Sequence, residues 1–260
     1  EGEQGEPNTL VVYLVIMLAV NITLFLNIQG RVYRIALGVL GFISFIALLV
    51  TLSRSSWIAI FFMYATLLFL SPKRGYLILA LIVGMFIGPL MMPQTVIDRV
   101  LYTFGKERGI DTTQYDRREL IEQGTIEYDS STHARFDSMN RALRNFLKRP
   151  MFGYGVTGYG FLDAQYHRVL VETGLMGFFA FVYLLWVTGT SLYRVYVQYR
   201  DDYLFNAISL GAFCAFVGLL FHAIGTNSFI IVRLMEPFWC LTGMALAIPH
   251  IAERERDEAF

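Results

Sequence analysis

The chain has 260 residues, 21 basic and 21 acidic, with 16% charged side chains against 55% hydrophobic ones. Soluble domains carry about a quarter charged residues, and a mean hydropathy of +0.50 makes a bilayer the better solvent for the long uncharged runs. Zero net charge gives no footprint for nucleic acid, and Cys214 and Cys240, each alone in an apolar run, argue against a structural zinc site.

Seven apolar runs are predicted to cross the bilayer, at 10–26, 35–52, 57–70, 76–92, 169–193, 205–224 and 229–248. Each is expected to be a helix, because hydrocarbon offers no partner to an open strand's backbone. The third is short and is expected to extend across 53–56; Pro89 and Pro93 end the fourth, and Pro237 is expected to kink the seventh. Arg31 and Arg34, Lys73 and Arg74, and Arg194 and Arg200 fall in three short connections, and Arg254 and Arg256 follow the last run. Seven alternating helices put all four sites on one side, which the positive-inside rule makes cytoplasmic. The expected fold is therefore an all-α integral membrane protein of about seven transmembrane helices with one large extracytoplasmic loop. Its divisions are 1–93 (helices one to four), 94–168 (the loop) and 169–260 (helices five to seven and a cytoplasmic tail).

The loop carries its own structure. Phe136, Met139, Leu143, Phe146 and Leu147 recur at helical spacing, which predicts an amphipathic helix over 136–147 with Asn140, Arg141, Arg144 and Lys148 on its other face. Pro150 stops it, and Gly153, Gly155, Gly158 and Gly160 follow with Tyr154 and Tyr159 between them, a density that permits tight turns and close approach of a ligand or another backbone. The phosphate-loop spacing of glycines before Lys-Ser/Thr is absent.

Candidate residues for chemistry lie on the same side. Arg54, in Ser53-Arg54-Ser55-Ser56-Trp57, is either an interfacial anchor beside Trp57 or an anion clamp, since a guanidinium fork suits phosphate. His133, Arg135, Arg141 and Arg144 cluster on the amphipathic segment. Arg135 is expected at the helix start, where a cation opposes the macrodipole and invites a ligand or a carboxylate partner. Asp163, Gln165, Tyr166, His167 and Arg168 precede the fifth run. Asp163 and His167, four apart, share a face if that helix begins early, which allows proton transfer; a polar interface collar is the plainer reading. Glu172, deeper, is expected to be functional or paired. Arg233 and Glu236 are three apart and are expected to pair along the seventh helix, and His222 to be a satisfied packing histidine.

Taken in order, several pieces resemble the O-antigen ligase/polymerase family of bacterial envelope glycosyltransferases. These are Leu52-Ser53-Arg54-Ser55-Ser56-Trp57 after an apolar span, then Arg135 with Ala142-Leu143-Arg144-Asn145-Phe146 and Pro150-Met151-Phe152-Gly153-Tyr154-Gly155. Asp163-Ala164-Gln165-Tyr166 and Leu170-Val171-Glu172-Thr173-Gly174-Leu175-Met176-Gly177 complete the set. The resemblance covers about 35–181 and implies a GT-C-like fold in the bacterial cytoplasmic (inner) membrane, with its site facing the periplasm or outside. It implies a metal-independent, inverting glycosyltransferase without cofactors, moving a glycan from a polyprenyl-diphosphate donor to a sugar hydroxyl. The implied partners are that donor, a glycan or glycolipid acceptor and membrane lipids.

The resemblance assigns Arg54 and Arg135 to the diphosphate, whose charge grows as it leaves. Asp163 falls at the place of the family's acceptor-side His, so Asp163 serves instead, His167 reaches over, or the role is absent; Arg141, His133, Tyr166, His167 and Glu172 are further candidates for substrate contact. Many ligases have a His-Asn or His-Ser step where this chain has Asp163-Ala164, which tilts the expectation toward surface-polysaccharide polymerisation over ligation to a lipid A-core or a protein hydroxyl. Members have ten or more spans, so seven, in a chain beginning at Glu1, imply helices missing from this sequence. A transporter using Arg233, Glu236 and Glu172 is the rival class; it is disfavoured by the lack of paired broken helices and of an inverted repeat.

Overall fold

The structure, a computed structural model, describes residues 7–51, 54–91, 127–160 and 162–258. Among these all regular structure is helical: α1 (Pro7–Asn27), α2 (Arg31–Val50), α3 (Arg54–Leu70), α4 (Arg74–Met91), α5 (Glu127–Phe146), α6 (Gln165–Gln198), α7 (Tyr203–His222) and α8 (Val232–Glu258). Four helical segments are long and apolar enough to cross a membrane, Thr9–Asn27, Arg31–Leu49, Gln165–Gln198 and Tyr203–His222, and shorter apolar stretches lie at Ser55–Leu70 and Arg74–Phe86. The part of the loop expected at 94–126 lies outside the described residues. The chain divides into two compact units, one of Glu1–Leu90 with Phe181–Phe260 and one of Met91–Ala180.

In the first unit α7 is the hub, packed by α1, α3 and α8. Its buried residues, among them Asn206, Leu210, Phe216 and Leu219, run around the helix rather than along one stripe, as a helix enclosed by neighbours requires. Close approach depends on glycine: a methyl at Gly211 would meet Thr23 Oγ1 at 2.7 Å, and one at Gly218 would meet Val15 Cγ1 at 2.9 Å and Met63 Cβ at 3.1 Å. In lipid, where apolar burial gives no net drive, such backbone proximity is what holds helices together. Asp202 caps α7 by accepting from the N–H groups of Leu204 (2.9 Å) and Phe205 (2.8 Å). Tyrosine hydroxyls tie helix to helix: Tyr64 donates to the Leu77 carbonyl and Tyr196 to the Leu70 carbonyl, each at 2.7 Å.

The second unit joins α5, the glycine-rich turn and the head of α6. α5 begins at Glu127, nine residues before the expected start at Phe136. Arg135 therefore lies inside the helix, and the expected conflict with the N-terminal dipole does not arise, because that field fades within the first turn. The predicted apolar stripe divides. Met139, Ala142 and Phe146 turn inward, Ala142 being 1% exposed, whereas Leu143 and Leu147 are exposed. Ala142, Leu162 and Val171 form a small core with Phe146, Tyr154 and Tyr159 packed against it.

Candidate active site

The head of α6 is built around a break. Gly174 has φ 67 and ψ −167 inside what is otherwise a 34-residue helix, a region that only glycine enters readily. The break frees helical N–H and C=O groups, and the glycine-rich turn takes them up. Leu175 N–H donates to the Pro150 carbonyl at 2.8 Å and Met176 N–H to the Met151 carbonyl at 3.3 Å. In return, Tyr154 N–H donates to the Val171 carbonyl at 3.1 Å and Gly155 N–H to the Glu172 carbonyl at 2.8 Å. Two backbones can approach this closely only without side chains at the contact: a methyl on Gly153 would sit 2.5 Å from the Glu172 carbonyl, and one on Gly174 would sit 2.4 Å from the Met151 carbonyl oxygen. The polar backbone freed at the break is thus satisfied by protein.

Side chains brace the turn from α5. Asn145 Nδ2 donates to Tyr159 OH at 2.9 Å, Tyr154 OH donates to the Asn145 carbonyl at 3.2 Å, and the Arg149 guanidinium lies 5.0 Å from the Tyr154 ring centroid. Beyond Tyr154, Thr157 holds φ 62, the left-handed region that disfavours a β-branched residue. Thr157→Gly is expected to raise stability by roughly 0.5–1 kcal/mol, the relief of left-handed strain less glycine's larger entropy loss. Thermal unfolding in detergent measures it, and an unchanged or lower midpoint would mean that Thr157 is not strained.

Asp163 stands just before this helix, between buried Leu162 (2% exposed) and Ala164 (0%), so its backbone is pinned between two residues anchored in the protein. It precedes the first helical residue, Gln165, and the expected helical face shared by Asp163 and His167 does not form, since the four-residue repeat holds only within a helix. Tyr166 and His167 lie in the first turn, both partly buried. Glu172, one turn deeper, is 4% exposed and accepts from Arg168 Nε at 3.1 Å, the pairing expected of an ionisable group at that depth. Arg141 is exposed and donates to Ser138 Oγ at 2.9 Å along its own helix. The backbones of Arg54, His133 and Arg135 belong to α3 and α5, but their side chains lie outside the described residues.

In the first unit, buried His222 is satisfied as expected: its Nδ1 lies 2.7 Å from Ser228 Oγ and 2.9 Å from Thr226 Oγ1. This knot fixes the turn between α7 and α8, whose Gly225 approaches Ser55 in the first turn of α3. Arg233 and Glu236, by contrast, form no ion pair with each other among the described residues, and both are exposed. α8 starts at Val232 rather than 229, so both fall near the helix entrance, where neither needs the other to offset burial.

The family model described as O-antigen ligase matches residues 39–182, more than half of the chain, across both units. The chain belongs to the O-antigen ligase family. Comparison with curated proteins yields no match. As a member of the O-antigen ligase family with apolar membrane-length helices, it is an integral membrane protein of envelope polysaccharide biosynthesis that performs ligase-type glycan transfer, with a lipid-linked glycan and an acceptor as partners. The match spans the Ser-Arg step, α5, the glycine turn and the broken head of α6. Two participants are not evident from the sequence: Arg168 as the partner of Glu172, and Gly174 as the break itself. Arg168 does carry a signal, being a basic residue four positions before a carboxylate. Gly174 carries none, because a single glycine in an apolar run is ordinary.

Proposed function

We propose that the chain moves a glycan from a polyprenyl-diphosphate donor to a sugar hydroxyl, with inversion, lengthening a surface polysaccharide at the extracytoplasmic face of the bacterial cytoplasmic membrane. The observation that carries this reading is Asp163, held between two buried neighbours beside a glycine turn that is locked to the head of α6, in a chain of this family. In the proposed reaction the acceptor hydroxyl attacks the anomeric carbon as the bond from that carbon to the diphosphate oxygen breaks. The polyprenyl diphosphate leaves with the bonding electrons, and the hydroxyl proton passes to Asp163 or, where Asp163 only orients the hydroxyl, to water. Arg54 and Arg135 are assigned to the leaving diphosphate, where fixed guanidiniums take the place of a metal. Arg141, His133, Tyr166, His167 and Glu172 are assigned to the substrates around it.

Asp163-Ala164 in place of a His-containing step favours polymerisation; ligation to a lipid A-core or a protein hydroxyl is the second reading. Arg54→Lys and Arg135→Lys are each expected to lower transfer about tenfold or more, because lysine keeps the charge and loses the bidentate fork. Full activity in Arg135→Lys would count against the clamp. Mass spectrometry of lipid co-purified with the wild-type protein tests the donor class directly: a polyprenyl-diphosphate glycan is expected, and an exclusive yield of ordinary phospholipid, together with no transfer from any such donor, would overturn the reading.

A further inference from the structure

The end of α5 and the turn that follows present an apolar surface that the described residues leave uncovered. Leu147, Phe152 and Val156 are 70%, 75% and 76% exposed, and Met151 is exposed beside them in sequence. Isolated exposed apolar residues are ordinary, but a run of them marks a contact surface. Two observations identify what covers it. First, the surface continues into a helix long and apolar enough to cross a membrane. The Met151 carbonyl accepts from Met176 N–H, and Met176 and Phe179, one turn apart on α6, are themselves exposed. Exposed apolar residues of a spanning helix meet lipid, so the turn begins where lipid begins. Second, the flank is basic. Residues 138–162 contain Arg141, Arg144, Lys148 and Arg149 and no acidic residue, and all four cations are exposed. Helical spacing sets Leu143 and Leu147 on one face with Arg144 at its edge, the arrangement of an element lying in a membrane interface.

We infer that the segment from Leu147 to Val156 seats in the headgroup layer of the bilayer, its apolar side chains at the acyl boundary and Arg144 and Lys148 on anionic phospholipid. The seat is shallow, because the same turn also holds the break in α6.

The test uses the full chain with exposed Cys240 replaced by serine; buried Cys214 stays unlabelled. Phe152→Cys, Val156→Cys and, as the water-facing control, Asp137→Cys are labelled with a polarity-sensitive fluorophore in nanodiscs of phosphatidylethanolamine and phosphatidylglycerol. The labels at 152 and 156 are expected to be blue-shifted and quenched by a shallow lipid nitroxide, and the label at 137 to report water. Arg144→Glu with Lys148→Glu is expected to reduce quenching at 152 at least roughly twofold, through loss of the headgroup attraction of each cation. Water-like emission at 152 and 156 overturns the inference. So does a blue shift without lipid quenching, which would mean that another protein surface covers the turn; quenching untouched by the charge reversal overturns the headgroup contact.

Discussion

Gly174→Ala is expected to cost about 3–5 kcal/mol, the sum of a backbone conformation closed to alanine and of hydrogen bonds lost across the break. The added methyl would meet the Met151 carbonyl oxygen at 2.4 Å and Phe152 N at 2.6 Å, and backbone atoms cannot swing aside as a side-chain tip can. Relief comes only if α6 straightens, which breaks the bonds from Leu175 and Met176 to the turn, or if the turn withdraws, which strips the Val171 and Glu172 carbonyls of their donors. Against a total stability of roughly 5–15 kcal/mol for a folded domain, such a loss removes the glycine turn from its place and, in the proposed reaction, transfer with it. Hydrogen exchange at Tyr154, Gly155, Leu175 and Met176 reads the effect. Gly243→Ala is the control, since a methyl there has no heavy atom within 4 Å and should be neutral or slightly stabilising. Wild-type protection and activity in Gly174→Ala would show that the break is dispensable.

In the proposed mechanism, Asp163→Asn lowers turnover about 100-fold or more while donor binding stays near wild type, the range expected for removal of a positioned proton acceptor. Asparagine nearly matches the shape and can still cap the following helix, so folding should survive and the variant isolates the proton. Glutamate at the same place keeps the carboxylate but moves it by one methylene; Asp163→Glu should recover part of the rate if acid–base chemistry is at stake. Single-turnover transfer and donor-binding measurements separate the cases. Wild-type transfer in a folded Asp163→Asn protein would remove the base role, and an equal loss in both variants would mean that the carboxylate must be both ionisable and held at its own length.

The apolar runs were legible because composition alone marks them: no charge falls between Leu10 and Leu26, and a helix follows from the need to satisfy the backbone. The amphipathic helix of the loop was legible only in its second half. Its first turns, Glu127-Tyr128-Asp129-Ser130-Ser131-Thr132, carry almost no apolar residues, and without periodicity there is nothing to count. The split of its stripe was hidden for another reason: spacing says that Leu143 and Ala142 stand on different faces, but not which face meets protein and which meets lipid. Gly174 illustrates the same limit, because the partner that makes its conformation necessary lies more than twenty residues earlier, in a turn whose own glycines read only as permissive. Arg233 and Glu236 misled in the opposite direction. Their spacing was right for a pair, but α8 begins at Val232, so both fall in its first turns and are exposed.

The central place of α7 also sets an order of assembly. α1 is the first described helix to leave the ribosome, yet it packs against α7 and α8, which are made last. The bond from Asn27 Nδ2 to Asn206 Oδ1 joins residues 179 apart, and that from Tyr13 OH to the Arg233 carbonyl joins residues 220 apart. At synthesis rates of about 5–20 residues per second, α1 has α2 and α3 beside it early but waits on the order of ten to forty seconds for α7 and α8. During that time Asn27 Nδ2 has the Thr23 carbonyl of its own helix but not yet Asn206 Oδ1. A ribosome that stalls before Tyr203 therefore leaves α1 with α2 and α3 but without the helix around which the first unit is built.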